Sequence, residues 1–363
     1  MIPLRLRVKA TGWNEDLAVV RLLSAPSPSP TMHDVVLVST EDGKLSYAAD
    51  GRRLDVASDD APSLDCNIVL LSPARGTLQR LIRPDSAHNT LLVTERCDQL
   101  CVMCSQPPNT AEWNLFEFYL QAVRLAPRDA VIGISGGEPT LLLDDLLNFL
   151  SILGEERPDL RFHVLTNAQH LTATDVGRLR ALPLDRIEWG VPVYASAGVL
   201  HDRIVGKSGA FERLQRSLSF LARAGARIEI RTVVTTMNYQ SLPALASYLA
   251  VNVPFAETWA LMQLENIGYG RLNWNSLFVD TGEDFGSLGR AVAIAAGRGL
   301  VPRLYNFPLC TLPKAYRKFS VASISDWKRK YLPTCSQCSL QSTCGGFFQW
   351  YPEDRGFGGV EPE

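Results

Sequence analysis

Cys97-Asp98-Gln99-Leu100-Cys101-Val102-Met103-Cys104 places three cysteines on one short loop, in the pattern C-x3-C-x2-C. Three thiolates so spaced can hold three corners of a four-iron cluster and leave one iron without a protein ligand. An iron with an open position can bind a small molecule. A zinc loop and three ordinary core cysteines are the other readings of the same spacing. Structural zinc takes four ligands and more often shows paired C-x2-C units, so one loop of three fits it poorly.

Around this loop, from about residue 89, apolar strand patterns alternate with helical ones. The expected strands are Thr90 to Glu95, Ala130 to Ser135, Arg161 to Thr166, Arg186 to Val193, Arg227 to Val234 and Ala256 to Gln263. Between them, Leu146, Leu150 and Leu153 form a helical stripe after the candidate caps Asp144 and Asp145. Phe211, Leu214, Leu218 and Leu221 form another. Repeated β-α units predict an α/β fold with a parallel sheet covered by helices, either open and doubly wound or a partial barrel. The cysteine loop follows the first strand, and sites in such folds gather beyond the carboxyl ends of strands.

The second strand runs into Gly136-Gly137-Glu138-Pro139-Thr140, about 35 residues after the cysteine loop. Together the two motifs resemble the radical S-adenosylmethionine (SAM) superfamily. The resemblance implies a six-unit partial TIM-type barrel and a [4Fe-4S] cluster on Cys97, Cys101 and Cys104. It also implies reductive cleavage of SAM to methionine and a 5′-deoxyadenosyl radical that abstracts hydrogen from substrate, with the hard chemistry belonging to the cofactor. Gly136, Gly137 and Glu138 correspond to the family's GGE motif, in which backbone or carboxylate groups meet the SAM amino group and glycines allow close approach. Thr166-Asn167 is similar to the family's third-strand Thr-Asn near SAM, and Arg231 stands where a polar residue often meets the SAM carboxylate. Met103 stands where the family commonly has an aromatic residue near adenine. The usual Ser-x-Asp at the end of strand four is replaced by Val193-Tyr194-Ala195 before His201-Asp202, and His201 reads equally as a solvated loop residue or a functional one.

Strand alternation sorts the interior of the barrel, because outward faces must pack under helices. Ile228, Ile230 and Val234 face outward, turning Glu229, Arg231 and Val233 inward; Ile187, Trp189, Val191 and Val193 turn Glu188 and Tyr194 inward. Asn167, Gln263 and Glu265 are expected inward as well. Buried charge must be paired or ligand-bound, so Glu188 and Arg231 are either an ion pair or part of the SAM and substrate site.

Beyond about residue 300, Cys310, Cys335, Cys338 and Cys344 supply four thiolates, enough for one closed site, zinc or cluster. After a radical SAM barrel they resemble a twitch subdomain, a shortened SPASM extension with one auxiliary [4Fe-4S] cluster. Finer stretches resemble the HxsC family, radical SAM maturases of the His-Xaa-Ser peptide system. These are Cys101 to Pro108, Tyr305-Asn306-Phe307-Pro308-Leu309-Cys310, Ser323 to Lys328 and Gly345-Gly346-Phe347-Phe348. That resemblance implies a ribosomally made peptide substrate, a partner radical SAM maturase and a one-electron donor such as flavodoxin. The same parts serve relatives acting on small molecules, such as the molybdopterin-pathway cyclases, and a non-catalytic iron-sulfur or zinc protein is a third reading.

The 363 residues suggest about two domains, divided here into a β-rich region (1–88), a radical SAM barrel (89–299) and a C-terminal cluster region (300–363). Residues 1–88 hold runs such as Val35 to Val38 and Asn67 to Leu71, with turn signals at Asp42-Gly43 and Asp50-Gly51 and a stiff connector from Ser24 to Pro30. They read as small antiparallel β structure, either substrate-binding or a packing lid, with Cys66 expected buried. Charged residues at 20%, intermixed, with a net charge of -2 give no nucleic-acid patch. No membrane span and no signal peptide are expected. Eight cysteines without a leader are expected to serve metal in a reducing cytoplasm.

Overall fold

The computed structural model describes residues 3–41, 43–57, 64–110 and 114–363. Asp42 of the expected Asp42-Gly43 turn lies outside them.

Short alternating strands at the start close into a barrel. β1 (Arg5–Thr11), β2 (Ala18–Leu23), β3 (Asp34–Glu41), β4 (Lys44–Ala49), β5 (Arg52–Ala57), β6 (Ile68–Ser72) and β7 (Thr77–Ile82) pair in the order β1-β5-β4-β3-β2-β6-β7, with β7 returning to β1. Closure removes both sheet edges. Pairing is antiparallel except between β2 and β3, which run parallel, so the proline-rich Ser24 to Pro30 connector serves as their crossover. Asp50 and Gly51, both at positive φ, make the tight β4–β5 turn. Cys66 is exposed rather than buried: it sits at φ 56° in the turn just before β6, which directs its side chain off the barrel.

The parallel sheet contains β8 (Asn89–Leu92), β9 (Val131–Ser135), β10 (Arg161–Leu165), β11 (Ile187–Pro192), β12 (Arg227–Val234), β13 (Thr258–Gln263), β14 (Val301–Tyr305) and the two-residue β15 (Ser320–Val321), side by side in chain order. The fold is thus an α/β partial barrel. It runs past the expected six strands because Val301–Tyr305 continues the parallel register on β13. β8 and β15 are its free edges.

The outward faces pack as alternation requires: Ile187, Trp189, Val191, Ile228, Ile230 and Val234 are all fully buried in the main core. Helix Leu143–Glu156 lays Leu146, Leu150 and Leu153 on that core, and helix Ala210–Ala224 adds Leu214, Leu218 and Leu221. Asp144 and Asp145 are first-turn residues of their helix, not its caps; there they face the positive end of the helix dipole. No helix among the described residues is long and apolar enough to cross a membrane.

Candidate active site

Gly136 and Gly137 are small because chain, not only ligand, must pass beside them. A Cβ on Gly136 would lie 2.4 Å from the Thr94 carbonyl oxygen, and one on Gly137 2.1 Å from that of Arg96. That approach lets Gly137 N–H donate to Thr94 O and Glu138 N–H to Arg96 O, each at 2.8 Å. The turn after β9 is thereby sewn to the segment entering the cysteine loop.

The Glu138 side chain is fully buried. Its Oε1 accepts Thr140 N–H at 2.8 Å and the Thr140 and Thr166 hydroxyls at 2.5 Å; its Oε2 accepts Asn167 N–H at 2.5 Å. Burial pushes its pKa up and the four donors oppose that rise. The carboxylate is therefore consumed in tying β9 to β10.

The cysteine loop is clamped from two further sides. Leu100 N–H donates to Val205 O and Val102 N–H to Ile204 O, both at 3.0 Å, from helix Gly198–Val205. Tyr269 N–H donates to Cys104 O at 2.8 Å, and Asn273 Nδ2 to Val102 O at 2.8 Å. Met103 is buried with Tyr194, Ile204 and Trp274. Burial, with the neighbouring thiols, pushes Cys101 up to about 12, and burial pushes Cys97 up to about 11. Metal binding must accordingly displace protons from these sulfurs.

Asp98 was not singled out by its sequence, yet it anchors the loop. Its carboxylate accepts Asn167 Nδ2 at 2.8 Å, lies 3.1 Å from His170 Nε2 and pairs with Lys207. Burial would raise its pKa, but His170, Lys207 and Asn167 outweigh burial and hold it well below the usual carboxylate range. Asn167 Nδ2 also lies 3.9 Å from Cys97 Sγ.

Inside the sheet is a cavity of about 770 Å³ reached by Cys101, Met103, Cys104, Glu188, Tyr194, Glu229, Arg231, Val233, Gln263 and Glu265. Alternation thus placed these inward residues correctly, but not their pairing. Arg231 bonds Glu229 on its own strand and reaches Met262 Sδ at 3.1 Å, whereas Glu188 lies 3.7 Å from Arg227. The register explains this. Glu188 stands opposite Arg227, and Arg231 stands opposite Pro192, four residues further along, or roughly 13 Å of strand. His163 also lines this lumen, and burial together with Arg231 pushes it down to about 4. Its buried outward neighbours Phe162 and Val164 were the missed signal.

His201 is 1% exposed, not solvated, and its Nδ1 accepts Tyr194 N–H at 3.3 Å. Burial pushes it down to about 4. It supports the turn at Tyr194 after β11.

Between β8 and β15 the lumen wall comes from both ends of the chain, Leu4, Arg80 and Arg83 on one side and Ser323, Ser325 and Lys328 on the other. Arg83 and Asp326 close this seam as an ion pair, Nη1 to Oδ2 at 2.9 Å. Beyond it, Cys310, Cys335, Cys338 and Cys344 converge on one pocket walled by Pro308, Leu309, Leu340 and Phe347. Cys344 Sγ accepts Leu309 N–H and Gly346 N–H at 3.4 Å each. Three thiolates on one loop and four around one pocket are donor sets that suit an iron-sulfur cluster, and four thiolates suit zinc as well.

With this geometry in hand, residues 91–249 match the family model described as "Radical SAM superfamily". This segment, which holds the cysteine loop and the Gly136-Gly137-Glu138 turn, is similar to the radical SAM superfamily. It is 26% identical over 153 residues to the AdoMet-dependent heme synthase of Oleidesulfovibrio alaskensis, covering 40% of this chain and 38% of that protein. It is 30% identical over 154 residues to the GTP 3',8-cyclase of Nautilia profundicola, covering 39% and 45%. The match thus spans less than half the length of either curated relative. Among solved structures, Streptococcus suis SuiB bound to S-adenosylmethionine aligns at TM-score 0.46 and 17% identity, covering 65% of this chain and 50% of that one. The anSMEcpe structure with AdoMet and the Kp18Cys peptide aligns at TM-score 0.47 and 14% identity, covering 59% and 63%.

Proposed function

We propose that this chain cleaves SAM reductively at Cys97, Cys101 and Cys104 and uses the radical so formed to modify a ribosomally made peptide, of the His-Xaa-Ser type. A [4Fe-4S] cluster on these three cysteines would supply the one electron that splits SAM into methionine and the 5′-deoxyadenosyl radical, which would take hydrogen from substrate. The chain's own part is placement. The Gly136-Gly137-Glu138 backbone, Asn167, Arg231 and Met103 position SAM, the lumen walls exclude water, and Cys310, Cys335, Cys338 and Cys344 hold an auxiliary [4Fe-4S] cluster in a twitch-like region. A partner maturase and a flavodoxin-type donor complete the reading.

One observation carries the peptide reading. The stretches that resemble HxsC, though scattered along the chain, line two cavities. Ser105, Gln106, Tyr305, Asn306, Ser323, Trp327 and Lys328 line the lumen, and Cys310 and Phe347 line the thiol pocket. Family-specific residues gathered where substrate must sit are the pattern expected of substrate selection.

The two curated relatives, a heme synthase and a GTP cyclase by name, favour a second reading, chemistry on a small molecule. The test is anaerobic incubation of reconstituted protein with SAM, reductant and either a His-Xaa-Ser repeat peptide or GTP. A SAM-dependent mass change in the peptide supports the first reading; conversion of GTP with an unchanged peptide supports the second.

A further inference from the structure

Three side chains that the SAM reading does not employ together meet on the lumen floor. His163 comes from β10, Glu188 from β11 and Glu229 from β12, and each offers a ligand atom within 4.8 Å of the other two. Glu229 is 4% exposed at its side chain. His163 Nε2 is buried and has no hydrogen-bond partner, and an orphaned buried polar atom is costly unless something fills the gap.

His163 Nε2 stands 3.8 Å from Glu229 Oε1. That is too long for a hydrogen bond, but it suits two atoms that each sit ~2.1 Å from a shared ion. The neighbouring strand frames the cluster tightly. A Cβ on Gly190 would meet His163 Nε2 at 2.9 Å, Arg231 Cδ at 2.9 Å and Leu165 Cδ2 at 2.7 Å, so glycine there lets His163 and Arg231 approach. Arg231 also engages Oε1 of Glu229, so an ion held through that oxygen shares it with the guanidinium. Arg231 faces Glu229, and Arg227 stands 3.7 Å from Glu188.

We propose that His163, Glu188 and Glu229 form a binding site for a divalent first-row transition ion. One imidazole and two carboxylates suit Mn²⁺, Fe²⁺ or Zn²⁺ rather than a soft ion. Three protein ligands leave coordination positions open to the same lumen that reaches Cys101 and Cys104, where a substrate nitrogen or oxygen can enter. Arg231 competes with the ion for Glu229 and sets its affinity. The site is independent of the SAM chemistry and of the peptide reading.

The test uses the full chain with its iron-sulfur content reconstituted, freed of loose metal by chelator and desalting, and titrated anaerobically with Mn²⁺ alone. Loss of the free-Mn²⁺ electron paramagnetic resonance signal reports binding. The expected result is one Mn²⁺ per chain, bound roughly tenfold or more weakly in Glu188→Gln and His163→Gln, and more tightly in Arg231→Met. Glu188→Gln is nearly isosteric and carries the decision, with unchanged iron content as its control for folding. Gly190→Ala alters no charge and should also weaken binding. Absence of stoichiometric Mn²⁺ binding, or equal binding by wild type and Glu188→Gln, overturns the proposal.

Discussion

Replacing Glu138 by glutamine separates two roles for the GGE acid, a contact to SAM and an internal tie. The amide oxygen can occupy the Oε1 position and keep its three donors, but the NH2 group then faces the Asn167 N–H that Oε2 accepts at 2.5 Å. The change removes one charge-assisted bond, worth ~1.5–3 kcal/mol, and leaves a buried donor unpaired at a further ~1–3 kcal/mol. The sum, roughly 3–6 kcal/mol, is large beside the ~5–15 kcal/mol of a typical domain. At about 2 °C per kcal/mol in a chain of this size, the thermal midpoint should fall roughly 6–12 °C. Iron bound at Cys97, Cys101 and Cys104 should fall with it, because the same turn holds Thr94 and Arg96 ahead of the loop. The assay is anaerobic thermal denaturation with iron analysis, alongside SAM binding by calorimetry. A variant with unchanged midpoint and iron but much weaker SAM binding would refute the internal-tie account.

Three further outcomes are expected. His201 is pushed down to about 4 by burial against about 6.5 unfolded, so the unfolded chain binds the extra proton; stability is full above pH 6.5 and is lost as pH falls toward 4. That loss is roughly 1.4 kcal/mol by pH 5.5, and His201→Gln should flatten this part of a denaturation-versus-pH curve measured on the cluster-free chain. Lys207→Met removes a partner of Asp98, and hydrogen exchange should quicken at the Leu100 and Val102 amides. Cys335→Ser with Cys338→Ser should lower iron from about eight to about four per chain while SAM cleavage persists; zinc in place of the lost iron in wild type would count against the auxiliary cluster.

Much of the framework was legible because periodicity reports burial. Ile228, Ile230 and Val234 had to face helices, so Glu229 and Arg231 had to face the lumen, and they do. Alternation within a strand says nothing of register between strands, so it leaves a Glu188–Arg231 ion pair open as one alternative, whereas Glu229 holds Arg231 and Glu188 lies by Arg227. Distant partnerships were illegible for the same reason. Asp98 and Lys207 are 109 residues apart, and Arg83 and Asp326 are 243 apart. The glycines of the GGE turn were read as room for ligand, whereas their nearest neighbours are carbonyls of Thr94 and Arg96. The count of six strands falls short because β14 lies just ahead of Cys310, in the stretch that the four C-terminal cysteines mark as a separate unit.

The most direct test is anaerobic formation of 5′-deoxyadenosine from SAM and dithionite by the iron- and sulfide-reconstituted chain, with Cys101→Ala beside it. The account predicts deoxyadenosine from the wild type and none from the variant. Equal deoxyadenosine from the variant, or none from a wild type that carries its full iron and is supplied with substrate, would contradict it.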